Sequence, residues 1–551
     1  MTFYNVMSGS GLDKPLLLAA IFFRCLEKNM LLHLILTIIA CTVSGTFSHP
    51  EVNTPLGKII GKWVPFNNIP VKTFQSIPYA KPPIGELRFR KPQPMEPWRE
   101  PLVADQLPPG CVQYSTVPDP AGDFLPGKTQ DCLYLNIWAP GAAGLQEKKA
   151  VMFWIHGGAF RIGSSRVDFY NGIVLAALGD VIVVSINFRL SLYDVLEALK
   201  WVKSNIKFFG GDEDNITIFG QSTGSITVGM LMVSPLAQGL FVRAIMESGA
   251  PTSLDAENNN KDFEISQKVA EAVGCACDGK SLENNPEEVI QCLRGKNALE
   301  LAKVEKNINS NSLRGFYPRY GDDILPYNSR EAFIQGEFKE VDILIGVNHN
   351  EGANTITLKF REVFGFFGHK TSQINKTFGE YIIRTNFEEF PDPDAVVRHY
   401  LGSLNENDDD RVLYEVQTAS ADYSRVCPSI YLAESVAKKR SRVLFYYFVH
   451  RPSNTPRAPW MGVVHFDEIY FVFGYPLRYP SNYTESEKRL SMQMIDVWSS
   501  FAKSGSTLLQ FWPQYSGEHH DYFALDTNRE ETGSGPHLEN CEFFRPYFGF
   551  E

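Results

Sequence analysis

Short apolar runs with polar or glycine-rich exits recur along this chain. They include 151–155 (Val-Met-Phe-Trp-Ile), 182–186 (Ile-Val-Val-Ser-Ile), 343–347 (Ile-Leu-Ile-Gly-Val) and 443–449 (Val-Leu-Phe-Tyr-Tyr-Phe-Val). Runs of this length, bounded by breakers, predict buried strands. A different pattern appears at 215–219 (Asn-Ile-Thr-Ile-Phe), where apolar and polar residues alternate as in a strand. It is followed by Gly220-Gln221-Ser222-Thr223-Gly224 and a helical run over 226–233. Helix is also predicted over 192–201 (Leu-Tyr-Asp-Val-Leu-Glu-Ala-Leu-Lys-Trp), only a few residues beyond the 182–186 strand.

A strand that runs through Gly-x-Ser-x-Gly into a helix predicts a nucleophile elbow, a strained turn that lifts a serine hydroxyl above an α/β sheet. Larger side chains at Gly220 or Gly224 would collide across that turn, which marks Ser222 as the nucleophile. In this architecture the acid and then the base follow in chain order. Glu351 lies three polar residues beyond the 343–347 strand, where sheet-based sites collect their side chains. His349 precedes it and reads as a solvated loop residue. Two histidines compete as base: His450 at the end of the 443–449 strand, and His465 in a loop ahead of an apolar run. The loop context favours His465.

Composition narrows the class. The 551 residues hold 44% apolar and 21% charged positions, and no linker, internal repeat or low-complexity tract marks a boundary. The net charge of −11 with no basic cluster argues against a nucleic-acid partner. Residues 30–43 form an apolar stretch followed by the small residues Ser44, Gly45 and Ser48, the pattern of an export signal. A second apolar run at 15–23 precedes it, so Met30 is the expected start of the signal and residues 1–48 are a leader; an N-terminal membrane anchor is the minor alternative. Export agrees with the cysteines. Of nine, Cys25 and Cys41 fall in the leader, and an odd remainder implies three bridges and one spare thiol. No Cys-x-x-Cys pair supports a metal site. Sequons at Asn215, Asn375 and Asn482 fit glycosylation; Asn215, at the opening of the elbow strand, is the least accessible of the three.

Several further motifs carry a family resemblance. Residues 74–83 (Phe-Gln-Ser-Ile-Pro-Tyr-Ala-Lys-Pro-Pro) with Leu87-Arg88-Phe89, and 131–137 (Asp-Cys-Leu-Tyr-Leu-Asn-Ile), resemble the N-terminal signatures of type-B carboxylesterases. Residues 208–212 (Phe-Phe-Gly-Gly-Asp), 459–463 (Pro-Trp-Met-Gly-Val) and 471–474 (Phe-Val-Phe-Gly) continue the match, nearest in wording to the cholinesterase branch. The resemblance runs from about residue 50 to the C-terminus. It implies an α/β-hydrolase fold, a large mostly parallel mixed sheet flanked by helices, as a single domain over 49–551. Residues 346–352 resemble the family's acid-bearing loop and 462–468 its histidine motif, which implies Glu351 and His465 as partners of Ser222. His156-Gly157-Gly158 resembles the oxyanion loop, implying backbone donors at Gly157, Gly158 and Thr223. The family's bridges imply Cys111–Cys132, Cys275–Cys292 and Cys427–Cys541 with Cys277 free, although Cys277 could also reach Cys292. A small-molecule ester is the implied substrate, with no metal or organic cofactor and a homo-oligomer left open.

Departures from the pattern shape the functional expectation. Gln221 stands where cholinesterases carry glutamate; juvenile hormone esterases, another branch, use glutamine there. The loop between Cys111 and Cys132 has no tryptophan to stack on choline, and 352–355 (Gly-Ala-Asn-Thr) has no aromatic residue. A neutral ester is therefore expected over a choline ester. Between Asn187 and Lys200 the family's excursion of about twenty residues is missing, and a direct strand-to-helix connection replaces it. The expected activity is a secreted serine esterase. The alternatives are a cholinesterase-like enzyme, a non-catalytic neuroligin-like adhesion protein, and an inactive splice or gene-model variant lacking the segment near residue 191.

Overall fold

A computed structural model describes residues 49–115, 127–144, 146–254, 258–309, 315–406, 408–509, 511–528 and 530–550. The leader, with Cys25, Cys41 and the export signal, lies outside the described residues. Residues 50–551 form one compact unit.

Its centre is an 11-stranded sheet. From one edge the strands are Glu530–Ser534, Asp521–Leu525, Val443–Phe448, Asp342–Asn348, Arg243–Glu247, Gly211–Gln221, Lys149–Ile155, Ile182–Ile186, Tyr134–Pro140, Ile69–Pro78 and Lys62–Phe66. The middle strands, from Asp521–Leu525 to Ile182–Ile186, pair in parallel, and antiparallel pairs finish both edges. A smaller sheet of 3 strands joins Glu51–Thr54, Gly57–Ile60 and Leu102–Val103.

The continuous apolar runs find their explanation here. Every residue of Lys149–Ile155, Ile182–Ile186 and Val443–Phe448 is buried, because helices cover both faces of a parallel sheet. Side chains alternate between two cores. Val151, Phe153 and Ile155 pack on one face with the helices Leu192–Asn205 and Thr223–Val233; Met152 and Trp154 pack on the other with Ile173–Gly179 and Glu485–Ser504.

Strand order positions the site. After Lys149–Ile155 the chain builds Ile182–Ile186 on one side and then Gly211–Gln221 on the other. The reversal opens a crevice at the carboxyl ends of these strands, the usual place for a site in an open α/β sheet. His156 and Ser222 each follow directly from those ends.

The direct connection after Ile182–Ile186 closes without breaking the fold. Asn187 Oδ1 accepts from Ser165 N at 2.8 Å and from the Ser164 and Ser165 hydroxyls, while its Nδ2 donates to Pro109 O. Arg189 then grips Asp194 in the first turn of Leu192–Asn205 through Nε (2.8 Å) and Nη2 (2.6 Å). Those polar clamps hold strand exit and helix start together across only five residues, 187–191.

Candidate active site

Ser222 occupies the turn between Gly211–Gln221 and Thr223–Val233, with φ 57° and ψ −124°, a conformation that costs a non-glycine residue energy and survives only where its surroundings enforce it. The surroundings here are backbone. A Cβ on Gly224 would stand 2.1 Å from Ile155 O, and one on Gly220 would stand 2.7 Å from the same oxygen. Ser222 N donates to Glu247 O at 2.8 Å, tying the turn to the next strand. The serine is partly accessible, while Gln221 and Thr223 on either side are buried.

The acid and the base arrive from the far side of the crevice. Glu351 lies three residues beyond Asp342–Asn348 and is fully buried. Its Oε1 accepts from Asn348 N at 2.8 Å, and its Oε2 lies 2.6 Å from His465 Nδ1. The two loops are stitched to each other. Asn350 N donates to Val463 O, Asn350 Oδ1 accepts from Val463 N, and Asn348 Nδ2 donates to both Val464 O and the buried Glu468. Asn354 Nδ2 also reaches His465 O. The imidazole is therefore fixed at its Nδ1 side by the buried carboxylate.

Electrostatics suit that division. Burial pushes the Glu351 carboxyl up, but His465 and the guanidinium of Arg425, 3.6 Å from Oε2, outweigh it and hold the carboxyl below its ordinary value. Burial lowers the His465 pKa, and Arg425 lowers it further against the opposing pull of Glu351. The result is an ionised acid beside a neutral imidazole.

Gln221 adds a contact that its sequence position did not suggest. Its Nε2 lies 3.2 Å from His465 Nε2 and 3.4 Å from Nδ1. Among the described residues, no hydrogen bond joins Ser222 Oγ to His465. Arg425 was equally invisible in the sequence: it comes from the π-helical turn Asp422–Val426, with no motif around it.

Opposite the triad candidates, residues 156–163 form a tight loop. Gly158 has φ +129°, where a side chain would strain the backbone, and a Cβ there would meet Ile162 O at 1.9 Å. A Cβ on Gly157 would meet Gln221 O at 2.5 Å, so this loop packs directly on the elbow. Among the described residues, the N–H groups of Gly157, Gly158 and Thr223 donate no hydrogen bond.

The remaining candidates sort themselves by placement. His450 is committed elsewhere, its Nδ1 3.2 Å from Asp526 and its Nε2 3.2 Å from Glu487. His349 is not the solvated loop residue expected: it is half-buried, its backbone N–H donating to Phe448 O at 3.0 Å and its ring 5.6 Å from that of Tyr447. Asn215 lies inside its strand rather than opening it, since pairing already begins at Gly211; its carboxamide accepts from Arg243 and donates to Lys503 O. Asn375 and Asn482 are exposed. Disulfides join Cys111 to Cys132, Cys275 to Cys292 and Cys427 to Cys541, and Cys277 is free and exposed. Among the described residues, no acidic, histidine or cysteine cluster could hold a metal, and no helix is long and apolar enough to cross a membrane.

The sequence profile of the carboxylesterase family matches residues 48–544. The chain belongs to the carboxylesterase family. It is a carboxylic ester hydrolase of the cholinesterase-like kind, with the α/β-hydrolase fold described above. Acetylcholinesterase-1 of Trittame loki is 36% identical over 95% of this chain and 99% of that protein. The cholinesterase of Mus musculus is 32% identical over 94% of this chain and 90% of that protein. The acetylcholinesterase of Leptinotarsa decemlineata is 31% identical over 87% and 82%, respectively.

Proposed function

We propose that this carboxylesterase is a secreted enzyme that hydrolyses neutral carboxylic esters through an acyl-enzyme on Ser222. The observation that carries the reading is the 2.6 Å pair between His465 Nδ1 and the buried Glu351, with Gln221, the neighbour of Ser222 in its strained elbow, 3.2 Å from His465 Nε2. Ser222 Oγ attacks the ester carbonyl carbon while His465 Nε2 takes its proton. Glu351 keeps the imidazole in the required tautomer and stabilises the imidazolium that forms. The N–H groups of Gly157, Gly158 and Thr223 receive the negative charge that develops on the carbonyl oxygen. Collapse of the tetrahedral species expels the alkoxide, which takes the proton from His465. Water then repeats the sequence on the acyl-serine, freeing the acid and Ser222.

An organophosphate should label Ser222 covalently, and Ser222→Ala should abolish both labelling and turnover of a p-nitrophenyl ester. Equal labelling of the alanine variant would overturn the reading. An exported, ester-cleaving protein also accounts for three disulfides and exposed sequons at Asn375 and Asn482.

A second reading, a choline ester as substrate, is favoured by the names of the relatives. Against it stand Gln221, which puts no negative charge beside His465, and the lack of tryptophan between Cys111 and Cys132. Each missing aromatic face forfeits about 0.5–2 kcal/mol of cation–π attraction. The expected result is therefore equal kcat/KM for acetylcholine and its uncharged dimethylbutyl analogue, to within a factor of about ten. A larger preference for the cation would decide for the second reading.

A further inference from the structure

A cavity of about 370 Å³ adjoins the short connection after Ile182–Ile186, and four consecutive residues of that connection, Phe188, Arg189, Leu190 and Ser191, line it. Its volume falls in the range of small-molecule sites. Phe188, Leu190, Val112 and Leu301 give it an apolar wall, and among the described residues no aspartate or glutamate lines it.

Three guanidiniums do. Arg189 is neutralised by Asp194. Arg88 donates to the carbonyls of Arg294 and Lys296, and Arg90 to that of Glu86; among the described residues neither is paired with a carboxylate. A carboxamide completes the polar side: Gln130 Oε1 is shielded from solvent and has no hydrogen-bond partner among the described residues. A buried polar atom left unpaired is costly, and a flip of the amide would offer its NH₂ instead. Apolar walls, unpaired guanidiniums and an amide make a pocket for an anionic amphiphile.

We propose that this cavity is a binding site for a medium-chain aliphatic carboxylate, separate from Ser222. The guanidinium fork matches a carboxylate in geometry and charge, and the apolar wall takes the chain. Carboxylic acids are also what an ester hydrolase releases, so the ligand class is at hand wherever the enzyme works. The cavity reaches the end of the 156–163 loop, since Gly163 lines it. Gln113 holds Gly163 through Nε2 to O (2.8 Å) and N to Oε1 (2.7 Å), and the Phe188 ring lies 4.5 Å from that of His156.

Calorimetric titration of the full chain with decanoate tests this, before and after Ser222 has reacted with an organophosphate. Binding should be unchanged by that reaction, at least about tenfold weaker in Arg90→Gln, and absent in Ala298→Trp, whose indole would fill the cavity while leaving Tm intact. Decanol should bind at least about tenfold more weakly than decanoate. The proposal is overturned if decanol binds as well as decanoate, if Arg90→Gln is without effect, or if blocking Ser222 removes binding and so puts decanoate in the catalytic crevice. Should Ala298→Trp fail to fold, the decanol and Arg90→Gln comparisons decide alone.

Discussion

His465 can act as a base only while neutral, and its surroundings keep it so. Burial and Arg425 together hold its pKa below the ordinary 6.5, so kcat/KM should stay level through neutral pH and fall only below 6.5, as the imidazole takes up a proton. Glu351, held low by His465 and Arg425 against the effect of burial, stays ionised across that window. Gln221 offers a direct handle on this titration, since its amide nitrogen sits 3.2 Å from His465 Nε2. Gln221→Glu would place a carboxylate against the ring, and an opposite charge that close favours the imidazolium by about 1 pKa unit or more. The acid limb of the kcat/KM profile should therefore move to higher pH by that amount, with the same substitution improving cationic esters relative to neutral ones. An unshifted limb would mean that the side chain at position 221 does not stay beside the imidazole in the working enzyme.

Elements differ in how plainly they announced themselves. Strands buried on both faces appear as unbroken apolar runs because a parallel sheet has no wet face, and that made 151–155, 182–186, 343–347 and 443–449 legible in the sequence. The elbow was legible because its two glycines are forced by backbone approaching within 3 Å. Contacts between distant loops left no such trace. Asn348 clamping the 463–468 loop, Arg425 entering from a π-helical turn and Gln221 lying on the imidazole all depend on tertiary placement rather than local pattern. The short connection after Ile182–Ile186 belongs to this scale. Asp194 is fully buried and its only ion pair among the described residues is Arg189. Asp194→Asn should destabilise the protein by about 2–3 kcal/mol, below the range for breaking a fully buried pair because Arg189 keeps some contact with water. Urea unfolding would measure it. A change within about 0.5 kcal/mol would mean that the Asn187 network alone closes the connection.

Across the whole molecule, the last helix, Leu538–Phe548, is held by chemistry as well as packing. Its Phe544 and Phe548 are buried against Tyr423, and its Arg545 forks onto Glu434 of the helix Cys427–Ala437 at 2.8 and 2.9 Å. The Cys427–Cys541 disulfide ties the same two helices, across a separation of 114 residues. Chain ends fray unless anchored, and a bridge closing so long a loop removes much of the freedom of the unfolded chain. Both sulfurs are fully buried, so a paired Cys427→Ala/Cys541→Ala variant also leaves a small gap in the core. The expected loss is about 4–5 kcal/mol, most of it from the unfolded state. A purely local role would appear as a frayed C-terminal helix with the global transition unmoved. The chain-entropy role predicts instead a lower midpoint for the entire domain in urea, measured with the other two bridges intact. Hydrogen exchange at Leu538–Phe548 in the same variant separates the two, because a globally destabilised protein exchanges faster everywhere in its core and a frayed one only at this helix.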